Sequence, residues 1–108
     1  MNPSDTERRH ARRFPLQQSA MVKYQDGTMR ELSAKTKNAS VGGVMLLTEQ
    51  SIAEGSEVEV TILLRREDSG TTLHLQGFGK VLRVKDEGTG QFSVAVAYHH
   101  PPSSNPYK

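Results

Sequence analysis

The 108-residue sequence has no cysteine and no tryptophan, and only three Phe and three Tyr. Without cysteine, disulfides, zinc–thiolate sites and cysteine nucleophiles are excluded together, and the absence fits a reducing compartment. No apolar run approaches the roughly 18 residues that a membrane-spanning helix needs. The opening residues Met1-Asn2-Pro3-Ser4-Asp5 have no apolar core of the kind a signal peptide carries. The expectation is a soluble, cytoplasmic protein. Hydrophobic residues make up only 34% of the chain, so one modest core is affordable, which suits a small barrel or sandwich better than a two-sided α/β sandwich.

Charge is present but unevenly placed. The net charge is +2. Residues 1–13 contain Arg8, Arg9, Arg12 and Arg13 against Asp5 and Glu7, while the remaining cations and anions cancel. All the excess positive charge therefore sits in one short arm, which points to an anionic partner met by that arm.

After Pro15 the pattern is that of strands. Leu16 to Tyr24 reads as a first strand, Asp26-Gly27 as a hairpin turn, and Thr28 to Lys37 as a second strand. Asn38-Ala39-Ser40-Val41-Gly42-Gly43 interrupts the pattern before a short buried strand, Val44-Met45-Leu46-Leu47. A turn or single helical turn over residues 51–56 ends at Gly55. Val58, Val60, Ile62 and Leu64 alternate with polar neighbours, the period-two signature of a half-buried strand. Thr71 to Val84 is long and carries Gly77 and Gly79, which mark a bulge or a barrel bend. Asp86 to Gly90 makes another hairpin, followed by Phe92, Val94, Val96 and Tyr98. Met29 and Met45 read as core filler. The pattern predicts an all-β, six-stranded antiparallel barrel, closed or nearly so, without a convincing helix. It divides into a flexible N-terminus over 1–6, one barrel domain over 7–100 that includes the arginine-rich arm, and a disordered tail over 101–108.

Two motifs lie outside the strand pattern. Arg9 and Arg13 form Arg-x-x-x-Arg (as do Arg8 and Arg12), and 25 residues after Arg13 comes Asn38-x-Ser40-x-x-Gly43. An Arg-x-x-x-Arg arm, one hairpin, then Asp/Asn-x-Ser-x-x-Gly resembles the PilZ family of cyclic di-GMP receptors. The flanking Glu7-Arg8-Arg9, Phe14-Pro15, Gly43-Val44-Met45-Leu46 and Gly90-Gln91-Phe92-Ser93-Val94-Ala95-Val96 agree, so the likeness covers residues 7–98.

The resemblance implies a PilZ-like split barrel that binds cyclic di-GMP as a regulatory module, with no cofactor, no metal and no catalysis. It implies that Arg9 and Arg13 grip guanine and phosphate, that Arg8 adds a second-rank contact, and that Asn38, Ser40 and Gly43 form the opposing wall. The chemistry is consistent. Guanine O6 and N7 are paired acceptors that a guanidinium fork matches and an ammonium does not, and phosphate oxygens take the same fork. Gly43, and also Gly42, would supply a positive φ in the turn and let backbone N–H groups approach an anion. Asn38 stands where the family more often has Asp, which removes a negative charge from an anion site. A downstream protein partner is expected, and a membrane partner is not.

Other functions are weaker. His10, His74, His99 and His100 show no chelating spacing, and Ser40 has no His/Asp arrangement around it. A PilZ-like barrel working only through protein–protein contacts lacks a reason for two intact motifs. A small nucleic-acid-binding barrel would display aromatic stacking platforms, for which this sequence has little material.

Overall fold

The computed structural model describes residues 17–65, 70 and 72–106. Seven strands follow in order: β1 (Ser19–Asp26), β2 (Thr28–Ala39), β3 (Gly43–Thr48), β4 (Glu57–Arg65), β5 (Thr72–Asp86), β6 (Phe92–Tyr98) and β7 (Ser103–Pro106). Their order in the sheet is β4-β1-β2-β3-β6-β5-β7, and the β4–β5 pairing closes the first six into an antiparallel barrel. Closure gives each of these six strands a neighbour on both sides over part of its length, which covers much of the edge that a sheet this small would otherwise expose. No helix among the described residues is long and apolar enough to cross a membrane.

Alternation along each strand builds the interior. Ala20, Val22 and Tyr24 of β1, Val44 and Leu46 of β3, Val58, Val60 and Ile62 of β4, and Val94 and Val96 of β6 all face inward and are buried. The narrow bore takes mostly valine, and burying each such side chain contributes about 1.5–3 kcal/mol. Ile52 enters from the β3–β4 connection, where Gly55 turns at φ 87° and its N–H reaches Val81 O at 2.7 Å. Gly27, Gly88 and Gly90 likewise take positive φ in the hairpins that the sequence marks.

Long β5 serves two neighbours in turn. Its first half pairs with β4 and its second with β6, and Gly79 lies at the handover, paired with both Val58 and Tyr98. A side chain at Gly79 would collide with Ala97 O, so glycine is required there for close backbone approach. The register bulge falls slightly later, between Val81 and Arg83.

Two expectations are corrected. The tail predicted to be disordered from Pro101 contains β7, whose residues 103–106 pair with Leu73 to Gln76 of β5. Main-chain hydrogen bonds to the part of β5 that β6 does not reach hold it, and such bonds leave no apolar signature in the sequence. Met29 is not core filler. It is 68% exposed, because the first residues of β2 extend with β1 beyond the barrel wall. Met45 is half-buried and faces outward between the buried Val44 and Leu46.

The Tyr98 ring packs over Gly77, while its hydroxyl is buried without a hydrogen-bond partner among the described residues. Burial pushes the phenol's pKa up. Tyr98→Phe is therefore expected to melt no lower than the parent, gaining up to about 1 kcal/mol at neutral pH. A raised folded pKa means stability is intact below the unfolded phenol's value of about 10 and falls as pH rises past it. The variant should lose that alkaline fall, which melting curves at pH 7 and above 10 would check. A melting point several degrees lower at pH 7 would show that the hydroxyl makes a useful bond.

Candidate functional site

Asn38-x-Ser40-x-x-Gly43 spans the end of one strand, a tight turn and the start of the next. Asn38 is exposed in β2 opposite Met45, and Gly43 opens β3 opposite Ala97. Between them the turn is closed by Ser40 N–H donating to Gly43 O at 2.9 Å, and the Ser40 hydroxyl donates to the same oxygen at 3.3 Å. Tyr98 N–H donates to Gly42 O at 2.9 Å, tying the turn to the end of β6. The structure thus brings Asn38, Ser40 and Gly43 onto one hydrogen-bonded corner of the barrel, with Val41 70% exposed in the turn.

The reason for glycine at position 43 differs from the expectation. Neither Gly42 nor Gly43 has a positive φ. A Cβ on Gly43 would instead lie 2.5 Å from Val96 O, so the residue is glycine because β3 and β6 approach too closely for any side chain there. Nothing within 4 Å of Gly42 requires glycine.

Arg8, Arg9 and Arg13 lie outside the described residues. What is described is how the chain joins the barrel beside the turn. Gln18 N–H donates to Thr36 Oγ1 at 2.9 Å, and Thr36 N–H donates to Gln18 O at 2.9 Å. The pairing is antiparallel, with Ser19 opposite Lys35 and Gln18 beside Thr36. Gln18 is thus held beside Thr36, two positions along β2 from Asn38.

Two grooves meet at this corner. One, of about 360 Å³, is largely apolar and runs from Asn38 and Val41 to Leu64, Leu75 and Pro102 at the barrel mouth. The other, of about 270 Å³, is shallow and lies on the outer wall between Asn38, Ser40, Met45 and Ala95. Beside it Lys37 sits in a bulge of β2 between Thr36 and Asn38, with its Nζ 3.4 Å from Ser93 Oγ. The Ser93 hydroxyl donates to Glu87, and that bond, helped by Lys37 and Lys85, holds the Glu87 carboxyl below its ordinary range. Sequence reasoning passes over Lys37 and Thr36. Adjacency to Asn38 is the available signal for Lys37, and a bulge has no residue signature of its own. His99 pairs with Glu57 at 2.6 Å, and no cluster of three or more metal-ligating side chains occurs among the described residues.

An exposed hydroxyl bonded at 3.3 Å contributes little to stability. Ser40→Ala is therefore expected to weaken ligand binding while shifting the melting temperature by no more than a degree or two. Intact affinity with a large melting shift would make Ser40 a brace for the turn and nothing more.

Comparison with curated proteins returns no match. The family model described as PilZ domain matches residues 7–106.

Proposed function

This chain belongs to the PilZ family, and we propose that it is a cyclic di-GMP-binding regulatory module, without catalysis, acting in a bacterial cytoplasm. The observation that carries the reading is the corner just described. Asn38, Ser40 and Gly43 are held together on one exposed edge, and the chain joins the barrel there from the side on which Arg8, Arg9 and Arg13 precede it in sequence. An extended chain covers at most about 3.6 Å per residue, so Arg13, five positions before Gln18, has the length to face the turn.

In this reading the arm's guanidinium groups take guanine and phosphate from one side while Asn38 and Ser40 offer short polar groups from the other. Four clustered arginines repel one another, and ordering each backbone residue costs about 1–2 kcal/mol. An anionic dinucleotide removes the repulsion and offsets that cost, so the ligand draws the arm across the turn. The surface beside the barrel changes, and a protein partner reads the change.

Calorimetric titration with cyclic di-GMP, with GTP and a short single-stranded oligonucleotide in parallel, tests the proposal. Saturable binding of cyclic di-GMP alone, weakening as salt rises, is the expected result. Preference for the oligonucleotide would replace the reading with a nucleic-acid one, and no binding of any of the three would leave a barrel that works through protein contacts.

A further inference from the structure

The outer wall beside Asn38 is ordered in rows by strand register. Asn38 stands opposite Met45, Met45 opposite Ala95, and Ala95 opposite Arg83, so one row crosses β2, β3, β6 and β5. The inward neighbours Val44, Leu46, Val94 and Val96 are buried, which turns Met45 and Ala95 outward. A bulge adjoins the row at each end: Lys37 is the extra residue in β2, and Leu82 the extra residue in β5. Bulges bend a strand and re-aim its side chains, and they concentrate beside functional sites. Here two of them bracket the same row. The middle of the wall is low, because Ala95 is followed by the row Gly43, Ala97 and Lys80. The shallow groove beside Asn38 and Ser40 lies on this low floor.

The cations around the floor are not equivalent. Lys37 is engaged with Ser93, and Arg30, on the distant β1–β2 hairpin, lies 3.7 Å from Asp26. Arg83 and Lys80, the latter in the next row, are both exposed and make no ion pair or side-chain hydrogen bond with any described residue. Of the two, only Arg83 shares the row of Asn38. Adjacent strands are about 4.8 Å apart, a spacing that an extended arginine outreaches, so Arg83 has the length to extend over Ala95, which lines the groove.

We propose that Arg83 is a phosphate-binding residue of the messenger site, crossing above Ala95 to meet the ligand from the β5 end of the row that begins at Asn38. This rests on the cyclic di-GMP reading and adds to it a residue that neither motif contains. A cyclic dinucleotide carries two phosphates, and a ligand seated against Asn38 and Ser40 on the shallow groove can turn one of them toward β6 and β5. Arg83 supplies a charge-assisted donor there. Its task is charge rather than base reading, so lysine serves as a point charge in its place.

The test is a calorimetric titration of the full chain and of R83A, R83K and R30A with cyclic di-GMP, with melting curves for each. R30A removes the same formal charge from the far hairpin and controls for net charge. At least fivefold weaker binding by R83A, recovery of most of that loss by R83K, and R30A within twofold of the parent are expected, with the melting points of both Arg83 variants unchanged. R83A binding as tightly as R30A overturns the assignment while leaving the messenger reading in place. A parent chain that does not bind cyclic di-GMP overturns both.

Discussion

Gly43→Val is expected to lose ligand binding and to melt roughly 10 °C or more below the parent, a destabilisation of about 2–3 kcal/mol for a domain of this size. The cause is the backbone of the neighbouring strand. A Cβ at position 43 would sit 2.5 Å from Val96 O, and that oxygen belongs to the β3–β6 ladder and cannot swing aside as a side chain would. The strands must part, and parting them moves Asn38, Ser40 and the Gly42–Tyr98 bond together. Because the first carbon of any side chain makes the collision, Gly43→Ala should be nearly as harmful. Gly43→Asn should be no better, although Asn accepts a positive φ more readily than most residues. Thermal melts of the three variants decide the matter: Ala within a degree or two of the parent would remove the close approach as the explanation, and rescue by Asn alone would restore the left-handed one.

The arginine arm carries the second large effect. Arg9→Ala and Arg13→Ala should each weaken cyclic di-GMP binding by at least tenfold and up to about a hundredfold, since each removes charge-assisted hydrogen bonds of about 1.5–3 kcal/mol. Arg9→Lys should fail almost as badly, because it keeps the charge but not the planar fork that reads guanine O6 and N7. Arg9 and Arg83 are thus expected to answer lysine differently, one reading a base and the other neutralising a phosphate. Wild-type affinity in Arg9→Lys would reduce the arm to bulk charge. Hydrogen exchange gives the companion result: amides of residues 8–13 should exchange freely without the messenger and become protected with it. Equal protection in both conditions would mean a preformed site in place of a switch.

Residue pattern alone determined the class of fold and the two motifs. Period-two alternation in Val58 to Leu64 and Phe92 to Tyr98 follows from strand geometry, and the positive φ at Gly27, Gly55, Gly88 and Gly90 follows from turn chemistry that is local to a few residues. Local causes leave local signatures. The tertiary structure decided what depends on a neighbour distant in sequence. Gly43 looks like a turn glycine until Val96 is beside it, Met29 looks like core until β2 is seen to outrun the barrel, and residues 103–106 look unstructured until β5 offers an unpaired edge. Arg83 belongs to the same class. Its separation from Asn38 is 45 positions along the chain and three strand spacings across the wall, and only the register of β2, β3, β6 and β5, shifted by a bulge at each end, puts the two in one row. Hydrogen-bond register is a property of paired backbones, and no single strand's side chains encode it.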